Sequence, residues 1–199
     1  MKKILLLSVL LLNLNAKAQR FEDYFTDATL RIDYTFSGNT KHQEIALDKL
    51  NRSPRWYGKR RRLTEVPVEG NGQIIVRDHR SDSIIYKNSF STLFQEWLSY
   101  DEAKTTPRSF ENVFLVPMPK DTIDVTLILY DNRRKPMASM HHQVVPTDIL
   151  IRKIGYDRQT PHVQLLTPKD STACIRIAFV AEGYRPAEMP IFISDATHA

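Results

Sequence analysis

The sequence predicts a mainly β protein: a β-sandwich-like N-terminal domain, followed by the first strand and helix of an incomplete α/β domain. Three observations support this prediction. Short segments with apolar residues at every second position recur between polar turns, which is the pattern of half-buried strands. A single convincing helix interrupts them. Beyond residue 160, a polar stretch is followed by a continuous apolar run and then by a helical pattern. This order is typical of the start of an α/β domain.

The first predicted strand is residues 29–36, where every second residue is large and apolar. Residues 73–87 follow the turn Gly70-Asn71-Gly72 and predict a hairpin, because two apolar, β-branched segments flank a polar loop. Residues 123–129 alternate in the same way as the first strand. Weaker strand candidates lie at residues 137–145 and 148–154. Several short strands at this spacing favour a β-sandwich.

The helix predicted in this region covers residues 91–100. Ser91 or Thr92 offers a hydroxyl that can cap its first turn. Its apolar positions recur at helical spacing on one side, which predicts a helix packed on a core through that side. These positions are Leu93, Phe94, Trp97 and Leu98.

Residues 1–18 have the pattern of a secretory signal peptide. Two lysines follow Met1, residues 4–14 are mostly apolar, and Ala16-Lys17-Ala18 is a signal-peptidase motif that predicts cleavage between Ala18 and Gln19. A membrane-anchoring helix is the alternative, but a span needs roughly 20 apolar residues, so no stable membrane span is expected. The predicted location is therefore exported: periplasmic, cell-surface or extracellular.

The net charge and the cysteine content limit which classes of function and which kinds of fold stabilisation are expected. Residues 1–18 carry three lysines and no acid, so their removal lowers the formal net charge from +5 to +2. So small a charge gives no reason to expect nucleic acid as a partner, because that binding relies on many phosphate contacts. The single cysteine, Cys174, excludes an internal disulfide framework and is predicted to be a buried, inert thiol.

The domain boundaries predicted from these patterns are 19–159 for the sandwich, 160–172 for a linker, and 173–199 for the start of an α/β domain. Residues 174–181 are nearly all apolar, as in strands buried on both faces of a sheet. Pro186 suits a first helical turn, and residues 187–199 continue as a helix. Because one strand and one helix cannot bury both faces of the strand, further elements are expected.

The histidines give no metal-site pattern. A His-Glu-x-x-His helix would place two imidazoles and a glutamate on one face, and the sequence contains no such string. His141 and His142 are adjacent on a predicted strand, so they point to opposite faces and cannot chelate one ion together. No residue is therefore assigned a catalytic, cofactor-binding or metal-binding role.

The segment Trp56 to Arg62 leaves two interpretations open. Trp56 and Tyr57 before Gly58 are either core and turn residues or a platform for carbohydrate or peptide. The basic run from Lys59 to Arg62 is either a solvated loop or a site for an anion or partner.

Four longer strings resemble a known family. They are NSFSTLFQEWLSYDEA (88–103), SFENVFLVPMP (109–119), PTDILIRKI (146–154) and IAFVAEGYRPAEMPIFISDA (177–196). The first three resemble the N-terminal domain of the IgA-peptidase family of zinc metallopeptidases, metallopeptidase family sixty-four. The fourth resembles the opening of that family's catalytic domain, where Glu182, Gly183 and Tyr184 match a signature to which we assign a structural role.

The resemblance implies a leading β-sandwich-like domain and an α/β peptidase domain with a His-Glu-x-x-His zinc site further on. The sequence ends at Ala199, inside the first helix of that second domain, so it is expected to be a truncated, inactive leading portion that lacks the zinc of the complete family member. The partners implied are its own or a homologous catalytic domain and a protein or peptide substrate. The rival hypotheses are a free-standing exported sandwich that binds carbohydrate or protein, and a secreted inhibitor or decoy.

Overall fold

The computed structural model describes residues 20–156, 162–170, 174–175 and 177–198, which fall into two units divided after Tyr156. The predicted signal peptide and its Ala18–Gln19 cleavage site lie outside the described residues. The described helices contain no segment long and apolar enough to cross a membrane. The predicted domain boundaries stay predictions.

The first unit contains two four-stranded sheets, which confirms the mainly β prediction. After a short helix α1 (Phe21–Tyr24), the strands are β1 (Phe25–Gly38), β2 (Gln43–Ser53), β3 (Gly72–Asp78), β4 (Ile84–Phe90), β5 (Arg108–Pro119), β6 (Ile123–Tyr130), β7 (Pro136–Val144) and β8 (Arg152–Lys153). One sheet has the order β5-β1-β2-β8, and the other has the order β4-β3-β6-β7. Neighbouring strands are antiparallel, except that β8 runs parallel to β2.

The core lies between the inner faces of the two sheets. The alternating apolar residues predicted in β1 and β6 supply much of it, and all are buried. These residues are Leu30, Ile32, Tyr34 and Phe36 in β1, and Ile123, Val125, Leu127 and Leu129 in β6. The hydrophobic effect of burying these side chains stabilises the sandwich.

An aromatic cluster closes one end of this core. Phe36 lies at its centre, with its ring centroid 6.4 Å from that of Phe90, 6.2 Å from that of Phe94 and 6.0 Å from that of Phe114. Phe94 and Trp97 come from the helix α2 (Leu93–Trp97), which is shorter than predicted. Thr92 caps it by accepting a hydrogen bond from the Gln95 amide. A 3₁₀ turn (Asp101–Lys104) follows the helix.

The sequence did not predict strand β2, and the register of the sheet explains why. Its apolar residues Ile45, Leu47 and Leu50 break the period of two because Asp48 is an extra residue opposite the step from Asp33 to Tyr34. Such a bulge shifts the following side chains by one position. The predicted strand 148–154 is correct only at Arg152–Lys153, where β8 pairs with two residues of β2.

The second unit differs from the prediction. The strand expected over residues 174–181 is not formed among its described residues 174–175 and 177–181. Ile177 is 75 % exposed and Val180 is 81 % exposed, and Cys174 is half-buried instead of buried. A strand needs a neighbour to satisfy its backbone hydrogen bonds, and no strand of the described part of the chain is paired with these residues. The predicted helix is present as α3 (Met189–His198), after a 3₁₀ turn at Pro186–Glu188.

Candidate functional site

The outer strands β4 and β5 border a cleft of about 360 Å³ at one edge of the sandwich. Phe90 and Phe114, with ring centroids 4.4 Å apart, contribute the aromatic part of its lining. The remaining lining residues carry amide, hydroxyl or aliphatic groups and no charge. They are Ile74, Asn88, Ser89, Ser91, Thr92, Asn112, Val113 and Leu115.

The loop between β2 and β3 covers the outer edge of β4, which borders one side of this cleft. The Lys87 amide donates to the Leu63 carbonyl at 3.0 Å, and the Lys59 amine donates to the Lys87 carbonyl at 2.6 Å. The amide of Ser89 donates to the side chain of Asn88. These contacts satisfy backbone groups that an edge strand otherwise offers to another chain.

Trp56 anchors this loop from within the core. Its side chain is 6 % exposed, its ring meets that of Tyr86 edge-on at 6.0 Å, and its indole N–H donates to the Lys59 carbonyl at 3.1 Å. The interpretation of Trp56 as a core residue is therefore confirmed, since a buried ring offers no face to a ligand. Tyr57 beside it is exposed.

The basic run is divided between structural and solvated residues. The Lys59 amine lies 5.0 Å from the Tyr86 ring centroid, and burial lowers its pKa although Glu65 opposes that shift. Arg60 stacks on the Phe21 ring at 4.6 Å and forms an ion pair with Asp27. Only Arg61 and Arg62 are exposed, so the run is neither a fully solvated loop nor a four-residue anion site.

The β5 edge, in contrast, is open. Within the described part of the chain, β5 pairs with β1 alone, and residues 108–117 make no backbone-to-backbone hydrogen bond outside that ladder. Val113 is 48 % exposed and Leu115 is 53 % exposed on its outer face. An uncovered edge with exposed apolar side chains is a place where another strand can add.

The two adjacent histidines point to opposite faces of β7, as predicted. His142 lies next to the buried Val125 and forms a 2.6 Å hydrogen bond between its Nε2 and the Tyr34 hydroxyl. Its Nδ1 faces the Gln143 carbonyl at 3.4 Å, so Nε2 accepts the proton of Tyr34. Burial, which outweighs the hydrogen bond to Gln143, lowers the pKa of His142, and burial raises the pKa of Tyr34.

His141 belongs to a surface cluster that sequence reasoning missed. Asp124 accepts a hydrogen bond from His79 at 2.8 Å and lies 3.8 Å from His141. These residues are far apart in sequence, and only the pairing of β6 with β7 and the loop after β3 brings them together. No group of three His, Cys, Asp or Glu side chains in the described ranges is placed to hold a metal ion.

The partial burial of His142 predicts a pH dependence of stability. Since the folded state lowers its pKa below 6.5, the unfolded chain binds more protons in acid. We expect the free energy of unfolding to fall as the pH drops from about 6.5 through the lower folded-state pKa. Denaturant titrations between pH 7.5 and 4.5 measure this, and His142→Gln removes the titrating group while keeping a polar partner for Tyr34. Identical pH slopes for wild type and variant would contradict the prediction.

The signature residues Glu182, Gly183 and Tyr184 lie in the second unit, just before its 3₁₀ turn. Gly183 has φ +79°, a left-handed conformation that favours glycine. The Tyr184 ring lies 5.1 Å from that of Phe192, which joins this turn to α3. The Arg185 amide donates to Glu188 and caps the 3₁₀ turn. The structural role assigned to the signature stays a prediction.

Comparison with known proteins identifies the sandwich. A search of curated proteins finds no match. The family model of the peptidase M64 N-terminus matches residues 20–141, which include every strand from β1 to β6 and most of β7. The match covers more than half of the chain, and it agrees with the mainly β architecture of the first unit. The chain therefore belongs to the peptidase M64 family and contains its N-terminal domain.

Proposed function

We propose that this chain is the non-catalytic N-terminal portion of an exported zinc metallopeptidase and is inactive without a catalytic domain. In the complete family member, a bound zinc ion would activate the water that attacks a peptide bond. The sandwich would hold the catalytic domain and present it to a protein or peptide substrate. The match to the peptidase M64 N-terminus supports the proposal that the chain is the N-terminal portion of a peptidase.

The exposure of the second unit is the observation that carries the proposal. None of the described residues from 162 onward is buried, and α3 buries no side chain. Exposed apolar patches of this kind mark surfaces that pack on other polypeptide. A catalytic domain is the partner expected from the family. The exposed apolar residues are Val163, Leu166, Ile175, Ile177, Phe179, Val180, Tyr184 and Ile191.

Zinc content and peptidase activity test the inactivity of the chain. The purified chain from Gln19 to Ala199 is expected to hold no stoichiometric zinc and to cleave no general peptidase substrate. A chelator-treated sample is the control. One bound zinc ion together with chelator-sensitive cleavage would show a catalytic site in these residues and would overturn the proposal.

Binding to a separately produced catalytic domain of a full-length family member tests the partner. We expect Ile177→Asp to weaken that binding at least tenfold, because a charge would enter an apolar contact. Val68→Asp is the matched control, since Val68 is equally exposed but lies in the loop of the first unit. Equal weakening by both variants, or no binding by the wild type, contradicts the proposed partner.

A further inference from the structure

We propose that the open edge of β5 and the cleft beside it bind an extended, uncharged polypeptide segment by strand addition. This goes beyond the proposed function, because the sandwich would bind the segment itself, with no need for a catalytic domain. The backbone edge, the cleft and the distribution of charge around both support this proposal.

The edge supplies the hydrogen bonds. From Ser109 to Val116 the strand contains no proline and no lysine, and its one charged residue is Glu111. Natural edge strands are protected by proline, lysine or other charged residues, by bulges or by a covering loop. Among the described residues, the loop of Trp56 covers β4 and makes no backbone hydrogen bond to β5. An extended segment beside β5 would pair with outward-facing backbone groups that have no strand partner among the described residues.

The cleft supplies room for side chains. Alternate residues of an added strand point to opposite faces, so one set would enter the cleft above Phe90 and Phe114. Its volume of about 360 Å³ is within the range of ligand pockets, roughly 300–1,000 Å³. The other set would cover Val113 and Leu115 on the outer face of the sheet. The matching segment therefore alternates apolar or small polar side chains.

The distribution of charge around the cleft favours an uncharged segment. None of the residues that line the cleft is charged. On the edge strand and its neighbour β1, Arg108 is paired with Glu102 at 2.6 Å and Arg31 with Asp33 at 2.7 Å, and Glu111 is exposed to solvent outside the cleft lining. A phosphate, an acidic peptide or a metal ion would find no counter-charge in the cleft. A neutral oligosaccharide could contact the aromatic rings but could not continue the β ladder, so the geometry favours polypeptide.

A labelled synthetic peptide of alternating threonine and valine, blocked at both ends, tests the proposal by fluorescence anisotropy with the full chain. We expect saturable binding, and at least tenfold weaker binding by the double variant Val113→Lys, Leu115→Lys. Both positions are exposed, so the variant is expected to fold, which circular dichroism checks. Val68→Lys is the matched control and should bind as the wild type does.

Amide hydrogen exchange locates the contact. The peptide should slow exchange in residues 109–116 and leave the β7 edge unchanged. No binding at millimolar peptide, or equal binding by the double variant, overturns the proposal. Binding of a neutral oligosaccharide that the peptide cannot displace also overturns the proposal. Concentration-dependent dimerisation with protection of residues 109–116 in the absence of peptide would make a second copy the occupant, which also overturns it.

Discussion

Replacing Phe36 by alanine is expected to lower the free energy of unfolding of the sandwich by about 3–5 kcal/mol. The Phe36 side chain is fully buried, and its ring contacts rings from β4, α2 and β5. Its removal would leave a cavity that these neighbours cannot fill by small movements. A loss of this size is a large part of the 5–15 kcal/mol that stabilises a typical domain. Denaturant titration followed by tryptophan fluorescence measures it.

Two variants serve as controls for Phe36. Phe36→Leu keeps most of the apolar volume and should cost clearly less than the alanine variant. Leu93→Ala removes an apolar side chain that is 71 % exposed at the start of α2, and it should change stability by no more than about 0.5 kcal/mol. If Phe36→Ala costs no more than Leu93→Ala, the aromatic cluster does not support the fold.

Strands β1 and β6 were predicted correctly because their burial pattern is regular. In β1 and β6 every second residue points into the core, so the sequence repeats with a period of two. Strand β2 was missed because the bulge at Asp48 interrupts the period, and a bulge depends on the neighbouring strand. Strand β5 was missed as a strand because its outer face carries apolar residues too, which hides the alternation.

The contacts that the candidate functional residues make were harder to predict from the sequence than the residues themselves. The opposite directions of His141 and His142 follow from the geometry of a strand, and they were predicted correctly. The contact between His142 and Tyr34 joins β7 to β1 across the core, and it has no local signal in the sequence. The same holds for Lys59, whose carbonyl partner Lys87 is distant along the chain. The open edge of β5 follows only from the strand order of the sheet.

The loop of Trp56 is expected to stabilise the sandwich and to protect the edge of β4. Trp56→Ala should lower the free energy of unfolding by about 3–5 kcal/mol, because it removes a buried ring that packs on Tyr86. It should also free Lys59 from the Lys87 carbonyl and so expose a second strand edge. We therefore expect concentration-dependent association of this variant, measured by light scattering under conditions where it is still folded.

Two further variants separate the two effects of Trp56. Trp56→Phe keeps an aromatic ring but loses the N–H that donates to the Lys59 carbonyl, so it should cost about 1 kcal/mol for that hydrogen bond plus the smaller packing loss. Val68→Ala changes an exposed residue of the same loop and should leave both stability and association unchanged. If the Trp56→Ala variant associates and lysine substitutions at Val113 and Leu115 abolish that association, the contact between copies lies at β5. In that case, the loop of Trp56 would stabilise the fold but would not be what prevents association through the β4 edge.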